Sequence, residues 1–250
     1  LQLDLGDRGN VLCLAQRCAW RGIATTIDKV TVGDAIAPGW HDIFFFGGGE
    51  DCQQAVVAED LMRGKGDLLR DAVDGGAALL AICGGFQLLA RYYRPFQGSD
   101  VPGIGLFDAW TEAGRRRMIG NTVVQVTYEP LMVHVGQQAT LVGFENHSGR
   151  TFLGTQCQPL GVTTIGYGNN GDDKLQGGVY KNAIGCYLHG SLLPKNPHLA
   201  DYLITVALRR RHGDVRLSQL DDSQEWTAHV AATERATLTL FDPAWHQPGT

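Results

Sequence analysis

The sequence predicts an α/β fold: an open, doubly wound, mostly parallel sheet flanked by helices, with additional β-hairpin elements. Three observations lead there. Two short apolar runs, residues 42–46 and 77–82, each stop abruptly at glycine or at Cys83-Gly84-Gly85, as buried parallel strands do. Stretches with apolar residues at helical spacing alternate with those runs. The chain has 33 glycines in 250 residues, well above the usual share of ~7%. They gather between the apolar runs and have no three-residue period.

The elements follow in order. Gly6-Asp7-Arg8-Gly9-Asn10 is a turn, with Asp7 or Asn10 as a cap. Val11, Leu12, Ala15, Cys18 and Ala19 recur at helical spacing and predict a helix over 10–21. A strand is expected over 24–28. The run 42–46 is the next strand and breaks at Gly47-Gly48-Gly49. Helices are expected over 53–62 and 67–74. The strand 77–82 then meets a sharp turn, and 86–93 reads as helix. After Pro95 the texture changes. Segments 122–128, 131–135 and 140–144 are rich in β-formers, with hairpin-like punctuation. Asn169-Asn170-Gly171-Asp172 is a turn inside the glycine-dense stretch 161–178. Residues 179–188 read as a strand that ends at His189-Gly190. Residues 199–211 form an amphipathic helix, and Arg209–His212 are expected at its solvated end, where cations suit the helix dipole. One domain is expected over 1–212. Residues 213–250 form an extension, read as a partner-facing helix or a flexible tail, with 242–250 as a loose tail.

Composition excludes several classes. The apolar share is 44% and the charged share 19%, enough for a core and wrong for a disordered chain. The formal charge of −5 gives no pull toward nucleic acid or an anionic membrane. No run approaches the roughly 20 apolar residues of a membrane span, and no secretory leader is legible. Six cysteines are scattered without a Cys-x-x-Cys pair. That is neither a disulfide framework nor a zinc cluster, and a reduced, cytoplasmic setting is expected.

The sharpest local feature is Ala81-Ile82-Cys83-Gly84-Gly85-Phe86-Gln87. A buried strand delivers a thiol to a tight turn at the start of a helix, the arrangement of a nucleophile elbow. The helix N-terminus favours thiolate, and its amides, Gly84 first, suit a developing oxyanion. A buried cysteine is most often just a small hydrophobe. Here the glycines and the strand-to-helix switch weigh against that. A thiol nucleophile needs a base. His189 ends an apolar strand, where open α/β sheets gather their ligands. His147 is the main rival. His41, His134, His198, His212, His229 and His246 sit in surface-like or tail contexts.

Three motifs in order, Gly47-Gly48-Gly49, Cys83-Gly84-Gly85-Phe86-Gln87 and Tyr187-Leu188-His189-Gly190, resemble the class I glutamine amidotransferases, in the branch that includes the cobyric acid synthases. Further matches resemble the glutaminase subunits of lipid II isoglutaminyl synthase: Gly6-Asp7-Arg8-Gly9-Asn10, Arg117-Met118-Ile119-Gly120-Asn121, Gly143-Phe144-Glu145-Asn146-His147-Ser148-Gly149-Arg150-Thr151, Gly166-Tyr167-Gly168-Asn169-Asn170 and residues 187–197. The resemblance runs over about residues 3–212. It implies a flavodoxin-like architecture and a thioester mechanism. Cys83 attacks the side-chain amide of L-glutamine, and His189 is its base. Gly48, Gly49 and Gly84 supply the oxyanion hole. Gln87, Arg117, Asn146 and His147 bind substrate. By composition alone, Arg115-Arg116-Arg117 is simply a solvated basic turn. The resemblance implies no cofactor in this chain: ATP and Mg belong to a Mur-ligase-like partner that meets lipid II. The chain has no Walker A pattern, since Gly64-Lys65-Gly66 lacks the rest of the loop. Localisation is then cytoplasmic, at the inner face of the membrane through the complex.

Two other readings stand beside this one. One is ammonia supply for cobyrinate-type amidation, and the other a catalytically silent binding module. One departure from the family pattern matters. Many members carry His-x-Glu, but here Gly190 and Ser191 follow His189. The third catalytic role is left between Asp7, Glu145 and no residue at all.

Overall fold

The computed structural model describes residues 7–49, 51–135 and 139–239. Two sheets build the molecule. The first contains β1 (Ile43–Phe46), β2 (Ala78–Ile82), β9 (Gly178–Tyr180) and β10 (Ala183–Cys186) in the order β1-β2-β10-β9. β1, β2 and β10 are parallel, with Phe46 opposite Ala81 and Cys186 opposite Ile82, so their C-terminal ends lie side by side. β9 returns antiparallel to β10.

Both faces of this sheet are covered, and β2 shows why. Ala78, Leu80 and Ile82 join one apolar cluster with Leu14 and Cys18 of α1 (Arg8–Ala19) and Leu199, Leu203 and Val206 of α6 (Pro197–His212). Leu79 and Ala81 point the other way. They join Val57 and Ala58 of α2 (Asp51–Asp60), Leu69 and Val73 of α3 (Gly66–Asp74) and Phe86 and Leu89 of α4 (Gly84–Leu89). A period of two with both faces apolar is what a continuous hydrophobic run provides. Each large side chain so buried contributes about 1.5–3 kcal/mol.

The second sheet holds six strands. The long strands β5 (Ala109–Val126) and β6 (Thr140–Leu153) form an antiparallel pair from Ala109–Leu153 to Gln125–Thr140. The register breaks between Ala113 and Met118, so the three arginines bulge out of the ladder. β3 (Tyr92–Arg94), β4 (Val101–Pro102), β7 (Gly161–Ile165) and β8 (Leu175–Gln176) complete it. A bridge between Phe144 and His189 joins this sheet to the first.

Several elements differ from the sequence reading. No strand forms over 24–28; Ala24, Thr25, Thr26, Ile27 and Asp28 are exposed and pair with no sheet. Helix α4 stops at Leu89, and Tyr92 and Tyr93, expected in it, belong to β3. Residues 131–135, expected as β, lie in helix α5 (Glu129–Val135), because Leu131 is buried in the core beside α6. The strand expected over 179–188 is a hairpin. Lys181 at φ 49 turns the chain between β9 and β10. Arg210 and Arg211 are more than a solvated helix end: both pair with Asp42, directly before β1. The extension contains helix α7 (Ser223–Thr239), which packs on the chain itself, Ala236 lying against Val123 and Val142. His198 and His229, read as surface-like, are both buried: His198 under Trp226 of this helix, and His229 on the face of the helix that packs inward. The tail expected over 242–250 lies outside the described residues.

Candidate active site

Three adjacent strand ends assemble the site. β1 runs into Gly47-Gly48-Gly49, β2 into Cys83, and β10 through Tyr187-Leu188 into His189. Cys83 sits at φ 51 and ψ −111, outside the regions that L-residues favour. Its amide donates to the Cys186 carbonyl at 2.8 Å, and its own carbonyl accepts from the Gln87 amide at 3.0 Å. The strand on one side and the helix on the other thus fix the strained turn. Gly85 has to be glycine, because a Cβ there would meet the Phe46 Cβ at 2.7 Å and its carbonyl at 3.0 Å.

Gly48 lies between the reacting groups. A Cβ on it would stand 2.9 Å from His189 Cε1, 3.3 Å from Cys83 Cβ and 3.5 Å from Asp7 Oδ2. Cys83, His189 and Asp7 therefore surround one glycine. His189 Nδ1 stands 3.9 Å from Asp7 Oδ1. Burial pushes the Asp7 carboxyl above the usual carboxylate range, while the Gly48 amide and the His189 ring pull it back. Burial pushes the His189 imidazole below its ordinary value, and Asp7 pulls it up. Each group thus favours the charge of the other in a site that resists both. Strand pairing holds the imidazole: the His189 amide donates to the Phe144 carbonyl at 2.8 Å, and the Phe144 amide returns the bond at 3.2 Å.

Asp7 therefore stands beside the imidazole, where no His-x-Glu carboxylate follows in the chain. It stands at the start of α1, beside Gly9, whose bare Cα packs against Ser191. Asn10 accepts the Leu193 amide at 2.8 Å. The motif Asp7-Arg8-Gly9-Asn10 thus ties helix α1 to the segment after His189. Glu145, the other candidate, faces elsewhere. It accepts the Tyr167 and Gly168 amides at 2.6 and 3.1 Å, and burial pushes its carboxyl up to about 7.

The oxyanion residues divide. The Gly48 amide donates to Asp7 Oδ2 at 2.7 Å, so it serves the carboxylate rather than an oxyanion. Gly49 and Gly84 do come together. A Cβ on Gly84 would lie 3.2 Å from Gln54 Nε2 and 3.3 Å from the Gly49 amide nitrogen, so the bare Cα eases this close approach.

Gln87, expected to hold substrate, has inward partners. Its carbonyl accepts from Gln54 Nε2 and its amide donates to the Tyr187 hydroxyl, both at 3.0 Å. Tyr187 continues through Thr151 at 2.6 Å to Thr111 at 2.7 Å. This buried network forms the floor beneath the elbow, and the sequence reading missed Gln54, Thr111 and Thr151 in it. Their only signal was polar side chains within apolar surroundings.

His147 stacks on Tyr187 with ring centroids 3.8 Å apart. Its Nδ1–H donates to the Gly149 carbonyl at 2.8 Å. Burial, and then the nearby His189, hold this ring down at about 4, against the Gly149 hydrogen bond that raises it. It is a neutral neighbour of His189, not a second base. Arg117 lies on the exposed bulge of β5, and its Nε donates to Asn146 Oδ1 at 2.7 Å. Its terminal nitrogens remain available to a planar anion such as a carboxylate. Beside it, Arg116 lies over the Tyr167 ring at 4.8 Å. Among the described residues no cluster of three His, Cys, Asp or Glu side chains is placed to hold a metal, and no helix is long and apolar enough to cross a membrane.

Comparison with known proteins agrees with this geometry. The lipid II isoglutaminyl synthase (glutamine-hydrolyzing) subunit GatD of Staphylococcus aureus is 37% identical over 233 residues, 92% of this chain and 90% of that protein. The subunit of the same name from Streptococcus pneumoniae is 38% identical over 224 residues, 88% of this chain and 83% of its own. Among solved structures, PurLQS from Thermotoga maritima matches with a TM-score of 0.56 at 13% identity, over 79% of this chain and 91% of that one, a likeness of fold. Residues 6–197 match the model of the CobB/CobQ-like glutamine amidotransferase domain. With the elbow cysteine, its histidine and the glycine loop between them all inside that span, the chain belongs to the CobB/CobQ-like glutamine amidotransferase family.

Proposed function

We propose that this chain is the glutaminase subunit of a lipid II isoglutaminyl synthase. It hydrolyses L-glutamine to glutamate and ammonia. A Mur-ligase-like partner subunit receives the ammonia. That partner binds ATP and Mg, activates the α-carboxylate of D-glutamate in lipid II, and brings the chain to the inner face of the membrane. The identity to subunits of that name along about nine-tenths of both chains carries the choice of acceptor. The packing of Cys83, His189 and Asp7 around Gly48 carries the chemistry.

The proposed steps use the positions of these residues. Asp7 lies on the Nδ1 side of His189, which leaves Nε2 for the thiol. His189 takes the Cys83 proton, and the thiolate attacks the amide carbon of glutamine. The developing oxyanion faces the Gly49 and Gly84 amides, each such donor contributing roughly 10²–10³ in rate. The His189 imidazolium then protonates the leaving nitrogen, ammonia departs, and a thioester remains. Water, deprotonated by His189, attacks the thioester, and glutamate leaves as the thiol is restored. Arg117, oriented by Asn146, takes the α-carboxylate of glutamine.

The test is glutamate release from glutamine, with and without a Mur-ligase-like partner, for the native chain and Cys83→Ala. The expected result is activity that requires Cys83 and rises with the partner. No activity in any combination favours a silent binding module. Activity that ignores this partner returns the cobyrinate-type acceptor.

A further inference from the structure

Helix α7 lies beyond residues 6–197, the span shared with the family. It nevertheless packs against the segment that follows His189, and the residues before it reach α1, the helix that follows Asp7. Arg17, only 1% exposed, donates to both oxygens of Asp222 at 2.7 and 3.0 Å and to both oxygens of Asp201 at 2.7 and 2.8 Å. Asp222 directly precedes α7, and Asp7 directly precedes α1.

The helix itself reaches the segment behind His189. His229 Nδ1–H donates to the Lys195 carbonyl at 2.8 Å, and His229 Nε2 accepts from the Thr140 hydroxyl at 3.0 Å. Trp226 stacks on His198 with centroids 5.1 Å apart, and His198 Nε2–H donates to the Thr140 carbonyl at 3.0 Å. Next to Lys195, Asn196 accepts the Val142 amide at 2.9 Å and donates to the carbonyls of Val142 and Leu192 at 2.8 and 2.7 Å. Two residues past Val142, Phe144 holds His189 by its paired backbone bonds.

We propose that α7 braces the active site from behind, with His229 as the positioning residue that locks Lys195 to Thr140 and so sets His189 against Asp7 and Cys83. A neutral imidazole suits the task because it donates on one side and accepts on the other. Its two partners stand on β6 and on the segment that follows His189. Those segments converge on His189 from opposite directions, so a bond between them fixes its position. This inference rests on the reading of His189 as the base.

The test uses the full chain with its partner subunit and compares His229→Ala with His229→Gln. A displaced base costs rate rather than binding; a shift of about 1 Å is worth up to ~10²-fold. His229→Ala is expected to lower kcat at least ~10-fold, with KM for glutamine little changed. His229→Gln, whose amide also donates and accepts, is expected to recover most of the loss. A second readout does not need glutamine. The rate of iodoacetamide alkylation at the Cys83 peptide is followed against pH. His229→Ala is expected to move its midpoint toward the ~8.5 of a free thiol, and His229→Gln to move it back.

If the native chain hydrolyses no glutamine but the alkylation midpoint still moves with His229→Ala, the glutaminase reading fails and the brace stands. Unchanged kcat and midpoint in His229→Ala overturn the proposal. So does a rise in KM alone, or a Gln variant as impaired as the Ala variant. Should His229→Ala not fold, Asp222→Asn weakens the other anchor. A loss of kcat together with a midpoint shift toward the free-thiol value then supports the brace, and native values of both overturn it.

Discussion

The Cα of Gly48 faces the imidazole of His189 so closely that a methyl group there would stand 2.9 Å from Cε1. The same methyl would press on Cys83 Cβ at 3.3 Å. Glycine is therefore the only residue that lets thiol and imidazole share this space.

Gly48→Ala is accordingly expected to lower kcat by about 10²-fold, the scale of a misplacement of about 1 Å. Gly48 is buried between these groups, so the thermal midpoint should fall as well. A full-speed Gly48→Ala enzyme would show that the two groups do not meet across it.

Asp7 raises the affinity of His189 for a proton, against the burial that lowers it. Asp7→Asn removes the raising charge, so the His189 value falls further. As the base must be neutral to accept the thiol proton, the acid limb of kcat/KM moves to lower pH. The plateau falls by about 10²-fold as the imidazolium loses its counter-charge. A pH profile of glutamate release from pH 5 to 9 checks both.

Cys83 at φ 51 carries strain that a side chain makes worse. Cys83→Gly relieves it and should raise stability by about 1 kcal/mol, or ~2–4 °C in Tm for a chain of this size, while abolishing hydrolysis. A calorimetric scan decides it. A lowered Tm would mean that the lost side-chain contacts outweigh the strain.

His198 is buried against Trp226, and burial lowers its pKa to about 4. An unfolded histidine titrates near ~6.5. Between these values the unfolded chain binds the proton more readily, so this contribution is whole above ~6.5 and is lost as pH falls toward 4. His198→Gln keeps a donor for the Thr140 carbonyl but has no such titration. Its urea midpoint should fall less steeply than the native one between pH 7 and 4.5. Parallel curves would refute the assignment.

Much of the site was legible in the chain itself. The strand-to-turn switches at Gly47 and Cys83 are local, because a buried run must end where the backbone turns. His189 was legible from its place at the end of an apolar run. Other elements misled for one shared reason. Residues 24–28 have the composition of a strand but find no sheet edge. Leu131–Val135 has the composition of a strand yet coils into α5, since burial of Leu131 against α6 outweighs weak β preference. His198 and His229 looked like surface residues, but the docking of α7 buries the first under Trp226 and the second on the helix's own inward face.

By itself the sequence determined the parallel strands, the elbow and the places of Cys83 and His189 at adjacent strand ends. These depend on neighbours in the chain: apolar runs, glycines and the residue that follows each strand. Only the tertiary structure decided that Asp7, not Glu145, stands beside His189, and that the Gly48 amide serves Asp7 rather than an oxyanion. Nothing near His189 in the chain encodes that choice. A carboxylate acts on an imidazole through distance in space, and here that distance is set by α1 packing on the far side of the sheet.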